Sequence, residues 1–198
     1  MVAASATHAT ETTMPGGSTI YASLWSSNES TPAYGIYRLT ADGPQLMLAD
    51  PKGSQVGYPM RSGWIADGKL CGYYVKESYS VVDEHYYIEV NADGETTRFD
   101  PLPDDCGYMF AATYNPDDRC IYGYGLTGEY SYALLKAPAD APGAISPVRE
   151  FEWDADEECL SIAYNTSDQN LYGVNARGQF VKIDKSTGLQ INLANVPD

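Results

Sequence analysis

Histidine is nearly absent from this chain of 198 residues, since only His8 and His85 occur. A zinc site built on imidazoles is therefore close to excluded. A serine or cysteine nucleophile with a histidine base would have to rest on His85 alone. Cationic residues are also scarce: 12 Lys and Arg stand against 27 Asp and Glu, a formal charge of −15. Nucleic-acid phosphates and anionic lipid surfaces are repelled by such a balance, so neither is an expected partner. No apolar run approaches the roughly 18 residues that cross a bilayer, and no membrane insertion is expected. Cys71, Cys106, Cys120 and Cys159 show no C-x-x-C spacing, which removes the usual zinc and redox motifs. No Gly-rich phosphate loop of either common pattern occurs. No helical period extends beyond a turn.

What is present is tyrosine, 17 residues against four phenylalanines. Tyr suits half-buried strands and wet binding surfaces alike. Residues 1–17, MVAASATHATETTMPGG, are small, polar and without periodicity, and they read as a disordered leader or a trimmed export region. Residues 18–198 read as one run of β structure. The length allows an ordinary core with no metal or disulfide staple. Buried free thiols are the expected state of the four cysteines, because the repeat described next sets them on different strands and approaches.

Three segments align: SGWIADGKLCGYYV (62–75), ATYNPDDRCIYGYG (112–125) and IAYNTSDQNLYGVN (162–175). Each is an apolar stretch ending in an aromatic, a polar turn, and an apolar–aromatic–Gly strand. Trp64, Tyr114 and Tyr164 are spaced by 50 and 50 residues, and Gly72, Gly123 and Gly173 by 51 and 50. Counting back 50 from Gly72 reaches Ala22 in a matching strand. The aromatics are expected at equivalent inner-strand positions. The glycines are expected where close blade-to-blade packing leaves no room for a side chain.

The second half of the unit repeats as strand, Gly-ended turn, strand in 35–48, 86–99 and 180–193. Asp42-Gly43, Asp93-Gly94 and Thr187-Gly188 are its hairpin turns. In the third unit the turn is enlarged, and Pro138, Pro142 and Pro147 are expected to keep that connection out of the ladder. Four-stranded units of about 50 residues in tandem are the signature of β-propeller blades. The expected fold is an all-β propeller with about four blades in this chain, the first lacking an evident inner strand. The chain then forms part of a larger ring, a four-blade ring closed by its leader, or half of an assembly of two chains.

The run IAYNTSDQNLYGVNARGQFVKIDKSTG, with SGWIADGKLCGYYV before it, resembles the N-terminal propeller of secreted and surface proteins of Bacteroidota. It is broadly similar to surface propellers of the YncE and quinoprotein-like type. The resemblance implies export to the periplasm or cell surface and further blades or modules beyond this segment. It implies no catalytic residue.

Candidate chemistry is sparse, and no catalytic residue, metal ligand or cofactor is assigned. His85, beside Asp83 and Glu84, reads as solvated surface. Asp117 and Asp118 fall in an NPDD turn that Asp favours for its own side-chain hydrogen bonds. The acids Asp104, Asp105, Asp154, Asp156, Glu157 and Glu158 read as loop residues, with calcium at the last run as an open alternative. Most aromatics are expected to serve inter-blade packing, which leaves the loop-proximal Tyr79, Tyr130 and Trp153 as ligand-binding candidates. The function expected is a non-catalytic binding or adhesion module for a protein or glycan. The alternatives are a propeller-type glycosidase or lactonase using clustered carboxylates, and a structural spacer of a larger surface protein.

Overall fold

The computed structural model describes residues 20–24, 35–40, 43–49, 57–78, 81–127, 131–152 and 156–196. These contain fifteen strands and no helix. In chain order β1 (Ile20–Leu24), β2 (Gly35–Thr40) and β3 (Gly43–Ala49) form blade one. Blade two is β4 (Gly57–Ala66), β5 (Lys69–Ser78), β6 (Val81–Val90) and β7 (Thr96–Pro101). Blade three is β8 (Tyr108–Asn115), β9 (Cys120–Leu126), β10 (Tyr132–Pro138) and β11 (Ser146–Glu150). Blade four is β12 (Cys159–Asn165), β13 (Asn170–Asn175), β14 (Gln179–Ile183) and β15 (Gln190–Asn195). Each strand pairs antiparallel with the next inside its own sheet, and the first strands pack side by side, β4 on β8 and β8 on β12. The chain has the fold of a β-propeller. Ala22 faces Tyr37 as Gly72 faces Ile88, Gly123 faces Leu135 and Gly173 faces Val181. So β1 is a second strand, and blade one shows three strands among the described residues.

Successive strand residues point to opposite faces of a sheet, and this sends neighbouring tyrosines into different cores. Tyr74 enters the core between blades one and two, with Ile36, Met60 and Ile88. Tyr73 enters the core between blades two and three, with Trp64, Tyr87, Ile121 and Leu135. Tyr122 and Tyr124 enter the next, with Cys159, Leu171 and Val181. Tyr73, Tyr74, Tyr122 and Tyr124 are all fully buried. At about 150–250 Å² each, such side chains dominate the packing of one blade on the next.

The recurring glycine has a different cause from the one expected. Each first strand carries a β-bulge, at Tyr58/Ser62, Met109/Ala111 and Cys159/Ser161. The bulge tips a carbonyl toward the second strand. A Cβ at Gly72, Gly123 or Gly173 would stand 2.3, 2.5 or 2.7 Å from the carbonyl oxygen of Ser62, Ala111 or Ser161. A sulfur atom closes the other side, from Met60, Met109 and Cys159 respectively. All of these atoms belong to the glycine's own blade. The glycine answers to a bulge in the same sheet rather than to the neighbouring blade.

The glycine register also separates Trp64 from its supposed counterparts. Gly72 faces Gly63, Gly123 faces Ala112 and Gly173 faces Ile162. Trp64 is one residue beyond its pairing point, whereas Tyr114 and Tyr164 are two beyond theirs. A one-residue slip reverses the face. Trp64 points forward into the core toward blade three, and Ile65 takes the place of the two tyrosines. The cause is the hairpin: Asp67-Gly68 spans two residues with φ of 50° and 74°, as a type I′ turn requires. Blades three and four use four residues, ending in Arg119 (φ 55°) and Gln169 (φ 61°). Only Pro142 of the three prolines lies between strands. Pro138 ends β10 opposite Cys120, and Pro147 pairs with Leu135 on edge strand β11 beside a bulge, where a missing N–H is tolerated.

The four thiols are free, and burial pushes those of Cys106 and Cys159 up to about 11. Such thiols are mostly protonated and weakly nucleophilic near neutrality. A thiol reagent at neutral pH is expected to modify the native protein slowly and to find four thiols after denaturation without reductant. A count below four would show a bridge.

Candidate functional site

Tyr79, Tyr130 and Trp153 all lie outside the described residues, as do Asp154 and the leader. Next to two of them, Ser131, Arg149, Glu150, Phe151, Glu152 and Glu157 line a shallow groove of about 390 Å³.

A second cleft has a volume of about 230 Å³. It opens between blades two and three and is lined by Trp64, Asp67, Lys69, Cys71, Tyr87, Glu89, Arg98, Tyr114, Arg119 and Asp140, among others. Its origin lies in the blade repeat. Opposite each other on the second and third strands stand Tyr21 and Arg38, Tyr122 and Lys136, and Tyr172 and Lys182. In blade two the same two positions hold Cys71 and Glu89. A tyrosine has become a small thiol, and a cation has become an acid.

Blade three shows how the standard arrangement fills this space. Lys136 Nζ sits 5.2 Å above the Tyr122 ring. The Tyr122 hydroxyl donates to Asp118 Oδ2 at 2.7 Å, and Lys185 of blade four reaches that oxygen at 3.6 Å. Blade four repeats the tyrosine-to-turn bond between Tyr172 and Asp168. Blade two has neither the tyrosine nor the long turn that would carry the acid. Space opens there.

The walls of the cleft are tied together. Lys69 Nζ donates to Glu89 Oε2 at 2.8 Å, and Arg98 Nη1 lies 3.7 Å from Glu89 Oε1. Arg98 Nε donates to Asp100, and its guanidinium covers the Tyr87 ring at 4.8 Å. The Tyr87 hydroxyl donates to Glu89 Oε1 at 3.3 Å. The bond and charge of Glu89 raise the Lys69 pKa, so this ammonium stays charged. Burial raises Tyr87 and Cys71, leaving a neutral phenol and a protonated thiol. Trp64 packs beneath, 5.6 Å from Tyr73 and 6.3 Å from Tyr87 between ring centroids. Such a floor and rim can hold and orient a polar ligand. The Glu89 carboxylate is already held by two cations and a phenol.

Asp117 and Asp118 of the blade-three turn are likewise engaged. Asn115 and Asp118 accept backbone N–H groups inside their own turn, and Asp117 accepts the Tyr164 hydroxyl from the next blade. Among the described residues, no cluster of three or more His, Cys, Asp or Glu converges on a metal-sized point. No described helix is long and apolar enough to cross a membrane.

His85 is not the solvated residue its neighbours suggest. It lies within β6, half-buried, with its ring 5.2 Å from that of Tyr108. Its Nδ1 is enclosed without a hydrogen-bond partner among the described residues. Burial lowers its pKa, against a smaller opposing pull from Asp104. As pH falls below about 6.5 the unfolded chain takes up this proton before the folded one does, so folding stability falls. Replacing His85 by Gln is expected to flatten the decline of melting temperature between about pH 7.5 and 5.5. Equal slopes for the two proteins would contradict this.

No protein-family model matches the chain, and no curated protein matches it. Solved structures do. A gluconolactonase of Xanthomonas campestris shares 15% identity at a TM-score of 0.56, over 82% of this chain and 56% of its own. TolB from Acinetobacter baumannii shares 16% at 0.51, over 82% of this chain and 38% of its own. The chain thus spans 56% and 38% of the length of these two proteins. At such identities the likeness concerns the fold alone.

Proposed function

We propose that this propeller segment is a non-catalytic binding module for a protein or glycan ligand, working outside the cell or at its surface. The observation that carries this is the cleft between blades two and three, opened where Cys71 and Glu89 replace the Tyr–cation pair of the other blades. Aromatic faces and charged groups of both signs are what polar recognition uses. Glu89 is held by Lys69, Arg98 and the Tyr87 hydroxyl, which supports a positioning role for this carboxylate over a hydrolytic one. The extracellular setting rests on the tyrosine-rich, lysine-poor composition and on the resemblance to exported propellers. A glycan and protein array, run beside a panel of glycosidase, esterase and lactonase substrates, tests the reading. Specific retention on the array without turnover is expected. Turnover abolished by replacing a single Asp or Glu would overturn it.

A further inference from the structure

Blade two departs from the repeat in three places that all border one space: Cys71 for Tyr, Glu89 for a cation, and a two-residue turn for a four-residue one. We infer that this cleft is a subsite for one neutral pyranose residue, an assignment that rests on the binding reading above and names its ligand class and place.

The polar groups decide the class of ligand. Lys69, Glu89, Arg98 and Asp100 compensate one another as a quartet of two cations and two anions. Arg119, Asp67 and Asp140 line the same cleft with no ion pair among the described residues. Arg119 can only donate and the two aspartates can only accept. Lys69 and Arg98 keep further N–H groups beyond those bonded to Glu89 and Asp100. An anionic ligand would use the donors and face Asp67, Glu89 and Asp140. A cation would meet the reverse problem. A sugar hydroxyl both donates and accepts, so a neutral polyol can use every group in the set.

Size and floor agree. The volume of about 230 Å³ lies below the roughly 300–1,000 Å³ of drug-sized pockets. Half-buried Tyr114 supplies aromatic surface for the apolar C–H face of a pyranose ring, with Trp64 and Tyr87 buried beneath the cleft, while the charged residues meet the rim of the sugar. The cleft is walled by strands of two blades, so its geometry is preorganised by the sheets.

The repeat itself provides the test. Cys71→Tyr restores the residue that the other three blades carry and fills the cleft. The Trp25→Phe, Trp153→Phe background leaves Trp64 as the sole tryptophan. Emission from Trp64 is followed during titration with methyl pyranosides of glucose, galactose, mannose and N-acetylglucosamine, with glucuronate and inorganic phosphate beside them. Saturable binding of at least one neutral pyranoside is expected, little changed by about 0.5 M salt. Cys71→Tyr should weaken it about tenfold or more while the melting temperature stays within a few degrees. If that variant fails to fold, Arg119→Gln at the exposed rim should weaken it about threefold or more. Undiminished binding in a folded Cys71→Tyr protein overturns the subsite and leaves the module's binding function standing. Binding of glucuronate or phosphate alone overturns the neutral-sugar assignment. No retention of wild-type protein anywhere on the array removes the binding function and the subsite with it.

Discussion

Replacing Gly125 by alanine is expected to destabilise the protein severely. The new Cβ would lie 1.9 Å from the carbonyl oxygen of Tyr108 and 2.8 Å from Cα of Met109. Both are backbone atoms of β8, held by its ladder to β9. No side chain can rotate away to make room. Overpacking ordinarily costs about 1–3 kcal/mol, and the rigidity of both partners places this case at or above about 3 kcal/mol. For a chain of this size that is a fall in melting temperature of about 6–12 °C, or loss of the folded state. Gly68→Ala provides the contrast. Its Cβ meets nothing within 4 Å, and only the φ of 74° opposes it, a cost of about 1 kcal/mol. Thermal melts followed by circular dichroism separate the two, and a Gly125→Ala protein that melts with the wild type would mean β8 and β9 do not pair in this register.

Leu135→Ala carries the second large effect. Leu135 is fully buried in the core between blades two and three, in the same cluster as Trp64, Tyr73 and Ile121. It pairs with Gly123 in the ladder, a residue with no side chain to lean into a void. A cavity that stays open costs about 2–5 kcal/mol for Leu→Ala. Leu193→Ala on edge strand β15, where the residue is 49% exposed, should stay within about 0.5 kcal/mol. Equilibrium denaturation of both variants checks the pair. Similar midpoints would show that the inter-blade core does not hold the sheets together.

Gly123 shows how far the bare sequence reaches. Its spacing from Gly72 and Gly173 marks the second strand of each unit, and the register confirms that placement. The reason for the glycine is invisible in the spacing, because a bulge in β8 is a property of two paired strands. A further repeat, Met60, Met109 and Cys159, marks the sulfur that closes the bulge. Spaced by 49 and 50 residues, it is present in the sequence and was hidden by its change of residue type.

Trp64 shows where alignment by residue type misleads. The aromatic spacing is 50 and the glycine spacing 51 over the same interval, and that single residue decides the face. Cys71 was legible as the counterpart of Tyr122 and Tyr172. Glu89 was not legible as the counterpart of Lys136 and Lys182, because the connections between second and third strands differ in length and destroy the constant interval. The loop aromatics Tyr79, Tyr130 and Trp153 drew attention through their type and position, and the described structure does not reach them.

The unit of four antiparallel strands, its recurrence and its turns were determined by the sequence alone. Those features follow from period-2 alternation and from glycines at positive φ, which are local and act wherever the residues stand. Only the tertiary structure decided that Trp64 turns toward blade three, that His85 is half-buried against Tyr108, and that a cleft opens above Cys71. Each depends on which atoms meet across a bulge, a shortened hairpin or the gap between two sheets. Such meetings follow from backbone register, where one residue more or less reverses every side chain beyond it.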